Sequence, residues 1–329
     1  MSKIGIPRAM YYYRYFPMWK AFFEELGAEV IVSQPTSKKT LDEGSKYCVD
    51  EACLAVKLYM GHVENLKKDV DYIFIPRFTS ISKREYICPK FGGLPDMIRR
   101  SIPNLPKIID TEVNMYKSRN GAFTAAIDAG GYISNDPIKI TRAYKKAQEE
   151  YKVYKDKLKL GLLPDDIFEN KVSIVKNYSK DKLNIAVIGH EYNLYDGYFN
   201  MDLLKKLKSL NVNVSTIEMM DEETINKMAG KIDKKMFWSF GRAAVGMALE
   251  AVDKNNLDGI IYLMTFGCGV DSFVSDFIER KVRNQSSIPF TVLTIDEHTG
   301  EAGLDTRIEA FIDMIRWRYS HDTNFSAHG

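Results

Sequence analysis

Short apolar runs alternate with longer amphipathic stretches along the first part of the chain. A short apolar run bounded by turn residues is typical of a buried strand, whereas apolar residues three or four positions apart indicate a helix. Residues 3–7 are predicted as a strand, and a helix over 15–26 is expected to end at Gly27. Further strands are predicted at 28–33, 70–76 and 106–110, and further helices at 50–66 and 94–100. This succession of strand, helix and strand predicts parallel pairing.

A highly charged stretch separates this region from a second one of the same kind. Residues 137–161 have helical spacing but few apolar side chains, so we expect a solvated helix that joins two lobes. After it, strands are predicted at 183–189, 212–217, 259–266 and 290–295, and helices at 200–210, 239–254, 271–283 and 306–318. The predicted fold class is α/β, with two doubly wound, Rossmann- or flavodoxin-like parallel-sheet lobes. The predicted domains are an N-terminal lobe at 1–136, a helical linker at 137–180 and a C-terminal lobe at 181–329.

Composition and charge narrow the range of partners. The chain of 329 residues has 45% hydrophobic side chains, and its 46 Lys and Arg against 44 Asp and Glu leave a net charge of +2. So small a charge gives no field to hold nucleic acid or an anionic membrane. No apolar run approaches the roughly 20 residues of a membrane span, and the opening residues do not resemble a signal peptide. The sequence therefore predicts a cytoplasmic protein without nucleic-acid or membrane partners.

The four cysteines are the first candidates for chemistry. They are too few for the disulfide framework of a small secreted domain. Cys268 follows a predicted strand and precedes a helix, in a turn between two glycines. Cys88 precedes a proline in a loop, a pair common at iron–sulfur ligands. Cys53 is expected in the first turn of a helix capped by Asp50, where the helix dipole favours a thiolate, and Cys48 precedes it by five positions.

Three interpretations of these cysteines remain open at this point. A lone cysteine is often a small buried apolar residue, but the loop–helix junctions occupied here favour ligands. A structural zinc site usually shows two close cysteine pairs, whereas this chain has one Cys-x4-Cys and two distant single cysteines. Ligands from separate loops therefore favour a cluster held between the lobes over a zinc knuckle.

Histidines and carboxylates after predicted strands are candidate catalytic groups. His190 follows the strand at 183–189, and Glu297, His298 and Glu301 follow the last strand. Ligands of parallel sheets bind beyond the carboxyl ends of the strands, so these side chains are candidates for a functional site. The alternatives are a histidine satisfied by local hydrogen bonds at 190 and a solvated acidic loop after the last strand. The chain lacks the phosphate-loop, dinucleotide-binding, His-Glu-x-x-His and Gly-x-Ser-x-Gly motifs. It therefore offers no support for ATP hydrolysis, nicotinamide binding or serine hydrolysis.

Six segments together resemble one known family. They are IPRAM at 6–10, VDEACLAVK at 49–57, YICP at 86–89, GHEYNLYD at 189–196, FGCG at 266–269 and DEHTGEAG at 296–303. In this combination the chain resembles the acyl-CoA dehydratase activase-related proteins. These belong with the 2-hydroxyacyl-CoA dehydratase and double-cubane iron–sulfur cluster superfamily. The resemblance spans nearly the whole chain.

The resemblance implies a two-lobed iron–sulfur protein of anaerobes, with a 4Fe-4S or double-cubane cluster. It implies Cys53, Cys88 and Cys268 as the ligands, with Cys48 as an uncertain fourth, and a separate ATP-dependent activase as the electron donor. Three ligands would leave one iron open to substrate or to fusion with a second cubane, whereas four would close the cluster and make an electron carrier. Nearby polar groups such as Lys57, His190 or His298 would tune the potential.

The leading hypothesis is an iron–sulfur protein for low-potential electron transfer or reductive catalysis. The alternatives are an acyl-CoA dehydratase-like subunit that acts with a partner, and a non-redox binding or scaffold protein with structural thiols or zinc. The substrate, which is an acyl-CoA or another small molecule, stays open. So do the cluster type and the oligomeric state, for which a homodimer is one alternative.

Overall fold

The computed structural model describes residues 1–118, 120–170 and 182–325. These residues divide into two compact units, one of residues 1–170 together with 234–242, and one of residues 182–233 together with 243–325.

The first unit is built on a parallel sheet of four short strands. Its strands are β1 (Lys3–Ile6), β2 (Glu29–Val32), β3 (Tyr72–Phe74), β4 (Arg77–Ser80), β5 (Lys107–Ile109) and β6 (Glu112–Asn114). The order in the main sheet is β2-β1-β3-β5, and β4 and β6 pair separately as a second parallel sheet. The main strands were predicted from their apolar runs, whereas β4 and β6 were not, because they are short and carry polar residues.

Among its described residues up to 170, seven helices complete the first unit. They are α1 (Tyr12–Glu25), α2 (Lys38–Ser45), α3 (Leu54–Leu66), α4 (Pro89–Ser101), α5 (Gly121–Gly130), α6 (Pro137–Lys159) and α7 (Pro164–Phe168). The short α2 was not predicted, but Ser37 and Thr40 form a capping box at its start. In such a box each side chain accepts a hydrogen bond from the other residue's backbone N–H, which starts a helix even in a polar stretch.

Helix α6 packs against α1 rather than standing in solvent. Its buried side chains are Ile140, Ala143, Ala147, Tyr154 and Leu158, and the Tyr154 hydroxyl donates a hydrogen bond to the Tyr13 carbonyl. The expectation of a solvated helix was therefore wrong, because small alanines and one tyrosine provide a narrow apolar face. Residues 171–180 of the predicted linker lie outside the described residues. The domain boundaries at 136 and 180 stay a prediction.

The second unit is also an α/β layer structure. Its strands are β7 (Leu183–Ile188), β8 (Val212–Ser215), β9 (Gly259–Thr265) and β10 (Phe290–Ile295), and they form a parallel sheet in the order β10-β9-β7-β8. Its helices are α8 (Glu191–Tyr195), α9 (Leu203–Ser209), α10 (Glu222–Ala229), α11 (Ser239–Lys254), α12 (Gly269–Gln285) and α13 (Glu301–Phe325). Every residue of β9 is buried. The predicted α/β fold class is confirmed.

No helix in the described part of the chain is long and apolar enough to cross a lipid bilayer.

Candidate functional site

Three of the four cysteines occupy the same position relative to a helix. Cys53 is the N-cap residue of α3, Cys88 of α4 and Cys268 of α12. The capped helices have 13, 13 and 17 residues, and none of the three sulfur atoms accepts a capping hydrogen bond. The first N–H groups of a helix have no partner within the helix, and its dipole favours negative charge. Each of these thiols therefore lies beside the free N–H groups at the positive end of a helix.

The N-cap of α3 is Cys53 itself, so the expectation that Asp50 caps this helix was wrong. Helices α2 and α3, on either side of this loop, cross backbone to backbone. A Cβ on Gly44 would lie 1.8 Å from the Lys57 carbonyl oxygen. A Cβ on Gly61 would lie 1.9 Å from the carbonyl oxygen of a residue in α2. In addition, the buried Lys57 donates a hydrogen bond of 2.9 Å to the Asp50 carbonyl, which ties the loop before Cys53 to α3.

Cys48 differs from the other three cysteines, although all four are half-buried thiols. It follows α2 and caps no helix. Burial raises the pKa of the Cys48 thiol to about 11, against the opposing charges of Lys57 and Lys90, and the neighbouring Cys53 thiol raises it further. Cys48 therefore lies near Cys53 but is a neutral thiol at pH 7.

The loop that carries Cys88 is held by a distant part of the sequence. Just before this cysteine, the Tyr86 N–H donates a hydrogen bond of 3.0 Å to the Phe237 carbonyl, and the two rings stack with centroids 5.0 Å apart. Next to it, the Glu85 carboxylate is only 4% exposed and lies 2.9 Å from the Arg242 guanidinium. These contacts fix the course of the chain into α4.

In the second unit, two adjacent strands bring three donor groups together. His190 follows β7 and is the N-cap residue of α8, while Cys268 follows β9 and Asp271 lies in the first turn of α12. His190 Nε2 is 3.4 Å from Asp271 Oδ1. One donor atom from each of the three side chains lies within 4.8 Å of the others, a group able to hold a metal ion.

The carboxylate of this group lies in an unusual environment. The Asp271 side chain is fully buried, and its Oδ1 accepts a hydrogen bond of 3.0 Å from the Tyr262 hydroxyl. Its Oδ2 has no hydrogen-bond partner among the described residues. Burial and the Asp271 charge together raise the pKa of Tyr262 well above its usual value, so this tyrosine remains a donor. Sequence reasoning missed Asp271, although its place in the first turn after Cys268 was a usable signal.

The remaining candidates lie in the turn before α13. Glu297 and His298 are exposed, and Glu301 accepts a hydrogen bond of 2.8 Å from the Lys206 ammonium. Within the turn, hydrogen bonds from the Thr299 hydroxyl and the His298 backbone lower the pKa of Asp296. This arrangement accounts for Asp296 as part of the turn, while a catalytic role for Glu297, His298 or Glu301 stays a prediction.

His62 is a structural group. Its side chain is fully buried, with Nδ1 2.9 Å from the Ser33 hydroxyl and Nε2 3.0 Å from the Thr36 hydroxyl. Because both ring nitrogens are occupied by local hydrogen bonds, this histidine is not a ligand in the arrangement seen here.

Comparison with protein families assigns most of the chain. Residues 3–220 match the model described as the CoA enzyme activase uncharacterised domain (DUF2229). The chain belongs to this family. The match covers most of the first unit, with Cys48, Cys53 and Cys88 but without residues 234–242, together with the start of the second unit.

A second match covers the other unit. Residues 184–315 match the family model for the 2-hydroxyglutaryl-CoA dehydratase D-component, and this stretch contains His190, Cys268 and Asp271. The chain is also similar to the putative dehydratase subunit YjiM of Escherichia coli (strain K12), with 33% identity over 70 residues. That alignment covers 21% of this chain and only 18% of the relative. Together the matches suggest a dehydratase-related function.

Proposed function

We propose that this protein of the CoA enzyme activase domain family is a cytoplasmic, oxygen-sensitive iron–sulfur component of a dehydratase-related system. Its cluster ligands are Cys53, Cys88 and Cys268, and an ATP-dependent activase reduces it at low potential. The observation that carries this proposal is the shared position of the three thiols, each the half-buried N-cap residue of a helix.

The donor set fits an iron–sulfur cluster. Thiolates are the ligands that these clusters prefer, and the backbone N–H groups at a helix N-terminus can donate hydrogen bonds to cluster or cysteine sulfur. Such hydrogen bonds, and the positive end of the dipole, stabilise the added negative charge of a reduced cluster. A cluster with three cysteine ligands supplies one-electron chemistry at an iron with an open position.

The position of Cys48 supports three ligands rather than four. It follows α2 and caps no helix, unlike the other three cysteines. Cys53, which lies close to Cys48, is the N-cap residue of α3 and is therefore the better placed of the two to bind a cluster. With Cys48 outside the ligand set, both a single cubane with an open iron and a double cubane remain compatible with this proposal.

The comparisons support the dehydratase context. The second unit matches a family named for a dehydratase component, and a component by definition acts with further subunits. We therefore propose an acyl-CoA thioester as the substrate class, with a partner subunit that completes the pocket.

The experiment is a metal analysis of protein purified strictly without oxygen. We expect about four irons and matching sulfide per chain for one cubane, and about eight per dimer where two chains share a double cubane. Serine variants of Cys53, Cys88 and Cys268 should each lose most of the iron. The matched control is Cys48→Ser, which removes a neighbouring thiol and should keep the iron.

Two results would overturn parts of this proposal. Protein without iron, even after reconstitution with iron and sulfide, would leave the thiols as structural groups or zinc ligands. Loss of iron from the Cys48→Ser variant would instead establish four ligands and a closed electron carrier.

A further inference from the structure

We propose that the second unit contains a site for one divalent transition-metal ion, formed by His190, Cys268 and Asp271. The site goes beyond the proposed cluster, because it uses nitrogen and carboxylate donors and needs neither Cys53 nor Cys88. Cys268 is common to both, so a single ion and the cluster are alternative occupants of this thiol.

The spacing of the donor atoms suits one ion. With bonds of about 2.0–2.3 Å, the ligands of a tetrahedral zinc site lie roughly 3.3–3.8 Å from one another. His190 Nε2 and Asp271 Oδ1 are already 3.4 Å apart, and the Cys268 sulfur lies within 4.8 Å of both groups. A shift on the order of 1 Å, within reach of a side-chain rotation, would bring the sulfur to bonding distance.

The environment of Asp271 points independently to a cation. Its carboxylate is fully buried, and Oδ2 has no hydrogen-bond partner among the described residues. A buried carboxylate is stable only when it is paired, fully hydrogen-bonded or bound to a metal. Within the described chain Asp271 forms no ion pair with a lysine or arginine, and the group it faces is His190. A metal ion would supply the missing positive charge.

The ligands are also held by neighbouring groups, as in known metal sites. The Tyr262 hydroxyl donates a hydrogen bond to Asp271 Oδ1, and the His190 ring stacks on Tyr192 with centroids 4.9 Å apart. Such contacts restrict the orientation of a ligand and usually raise metal affinity. Both metal-binding segments start helices that follow adjacent strands of one sheet, so the backbone around the site is rigid.

The donor types select the class of metal. One imidazole, one thiolate and one carboxylate favour Zn²⁺, Co²⁺ or Fe²⁺, whereas Mg²⁺ and Ca²⁺ prefer oxygen ligands alone. Three protein ligands leave a fourth position for water or a small ligand, as in catalytic zinc sites. Access is available on the side of Cys268, since Gly267 and Gly269 beside it are exposed.

The test is a titration of the cluster-free full chain with Co²⁺ under anaerobic conditions. We expect one Co²⁺ per chain, with sulfur-to-cobalt charge transfer in the near ultraviolet and the strong visible bands of four-coordinate cobalt, both removed by Zn²⁺. His190→Gln and Asp271→Asn should each weaken binding at least tenfold. The matched control is Asp276→Asn, an exposed carboxylate further along α12, which should bind Co²⁺ like the unmodified chain.

The Cys53→Ser variant separates this inference from the proposed cluster. It should lose the iron of the anaerobic protein but keep the cobalt spectrum and affinity. Cobalt binding that disappears with Cys53 would place the ion on other cysteines and overturn the inference, as would the absence of saturable binding. Circular dichroism shows whether each variant is folded. Because Asp271→Asn keeps the shape of the side chain, its effect on Co²⁺ affinity reports the loss of the carboxylate charge.

Discussion

His62 and Asp271 are both fully buried polar side chains, but their hydrogen bonding differs. Both nitrogens of the His62 ring lie within hydrogen-bond distance of hydroxyl groups, whereas Asp271 Oδ2 has no partner in the described part of the chain. Native proteins satisfy most buried polar atoms, so an unsatisfied one calls for an explanation. The first side chain is structural, and the second is part of the proposed metal site.

The burial of His62 has a consequence for stability in acid. Burial, and secondly the charge of Arg8, lower the pKa of His62 to about 3, whereas an unfolded histidine has a pKa near 6.5. Between these values the unfolded chain binds a proton that the folded chain does not. The free energy of unfolding is therefore unaffected above pH 6.5 and should fall by up to about 1.4 kcal/mol per pH unit as the pH drops below it.

Urea denaturation of the unmodified chain and of His62→Gln between pH 7 and pH 4 measures this effect. Glutamine can replace the hydrogen bonds to both hydroxyl groups but has no proton to gain. We expect the unmodified chain to lose more stability than the variant over this range. Parallel pH profiles would show that His62 is not the group responsible.

At the scale of elements, the crossing of α2 and α3 positions the loop that holds Cys48 and Cys53. The two helices approach so closely that Gly44 and Gly61 leave no room for a side chain. The close contact brings the end of α2 next to the start of α3 and keeps the connecting loop short. Small residues therefore determine where Cys53 lies, although they carry no chemistry themselves.

Gly61→Ala tests this crossing. The added methyl group would lie 1.9 Å from a backbone oxygen of α2, so the helices must separate. We expect a loss of about 3 kcal/mol in the free energy of unfolding, together with lower iron content. The control is Gly93→Ala in α4, where nothing lies within 4 Å of the added atom. That variant should gain up to about 1 kcal/mol, because alanine favours a helix over glycine. Equal stability of the two variants would contradict the proposed contact.

At the scale of the whole molecule, the chain returns to its first unit after building part of the second. Residues 234–242 belong to the first unit, although all of its other described residues come before 171. Their contacts with Glu85 and Tyr86 lie directly before Cys88. The position of a proposed ligand therefore depends on a segment about 150 residues away in sequence.

The ion pair of Arg242 with the buried Glu85 is the strongest of these contacts. Arg242→Met would leave the carboxylate short of a counter-charge, and we expect a loss of about 3 kcal/mol in the free energy of unfolding. Lys235→Met is the matched control, because Lys235 reaches the same carboxylate at 3.4 Å with an exposed side chain, and its loss should cost less than about 1 kcal/mol. Urea denaturation of both variants measures the difference, and similar losses would show that burial of this pair does not matter.

Much of the fold was predictable from sequence because its strands are continuous apolar runs. The second sheet contains two such strands, Leu183–Ile188 and Gly259–Thr265. Strands of a parallel sheet that is covered on both faces appear in the sequence as continuous apolar runs. The short α2 and the packed α6 were misread, because a capping box and a narrow alanine face leave weak signals in the hydrophobic pattern. The cysteines were recognised by their loop positions, but their common N-cap geometry was not.

The sequence by itself determined the α/β class, the family resemblance and the candidate cysteines, since these depend on local patterns and residue types. Only the tertiary structure decided that Asp271 joins His190 and Cys268, and that residues 234–242 support the Cys88 loop. The physical reason is that both arrangements depend on which strands and loops become neighbours. Adjacent strands β7 and β9 bring their carboxyl ends together, although about 75 residues of chain separate them.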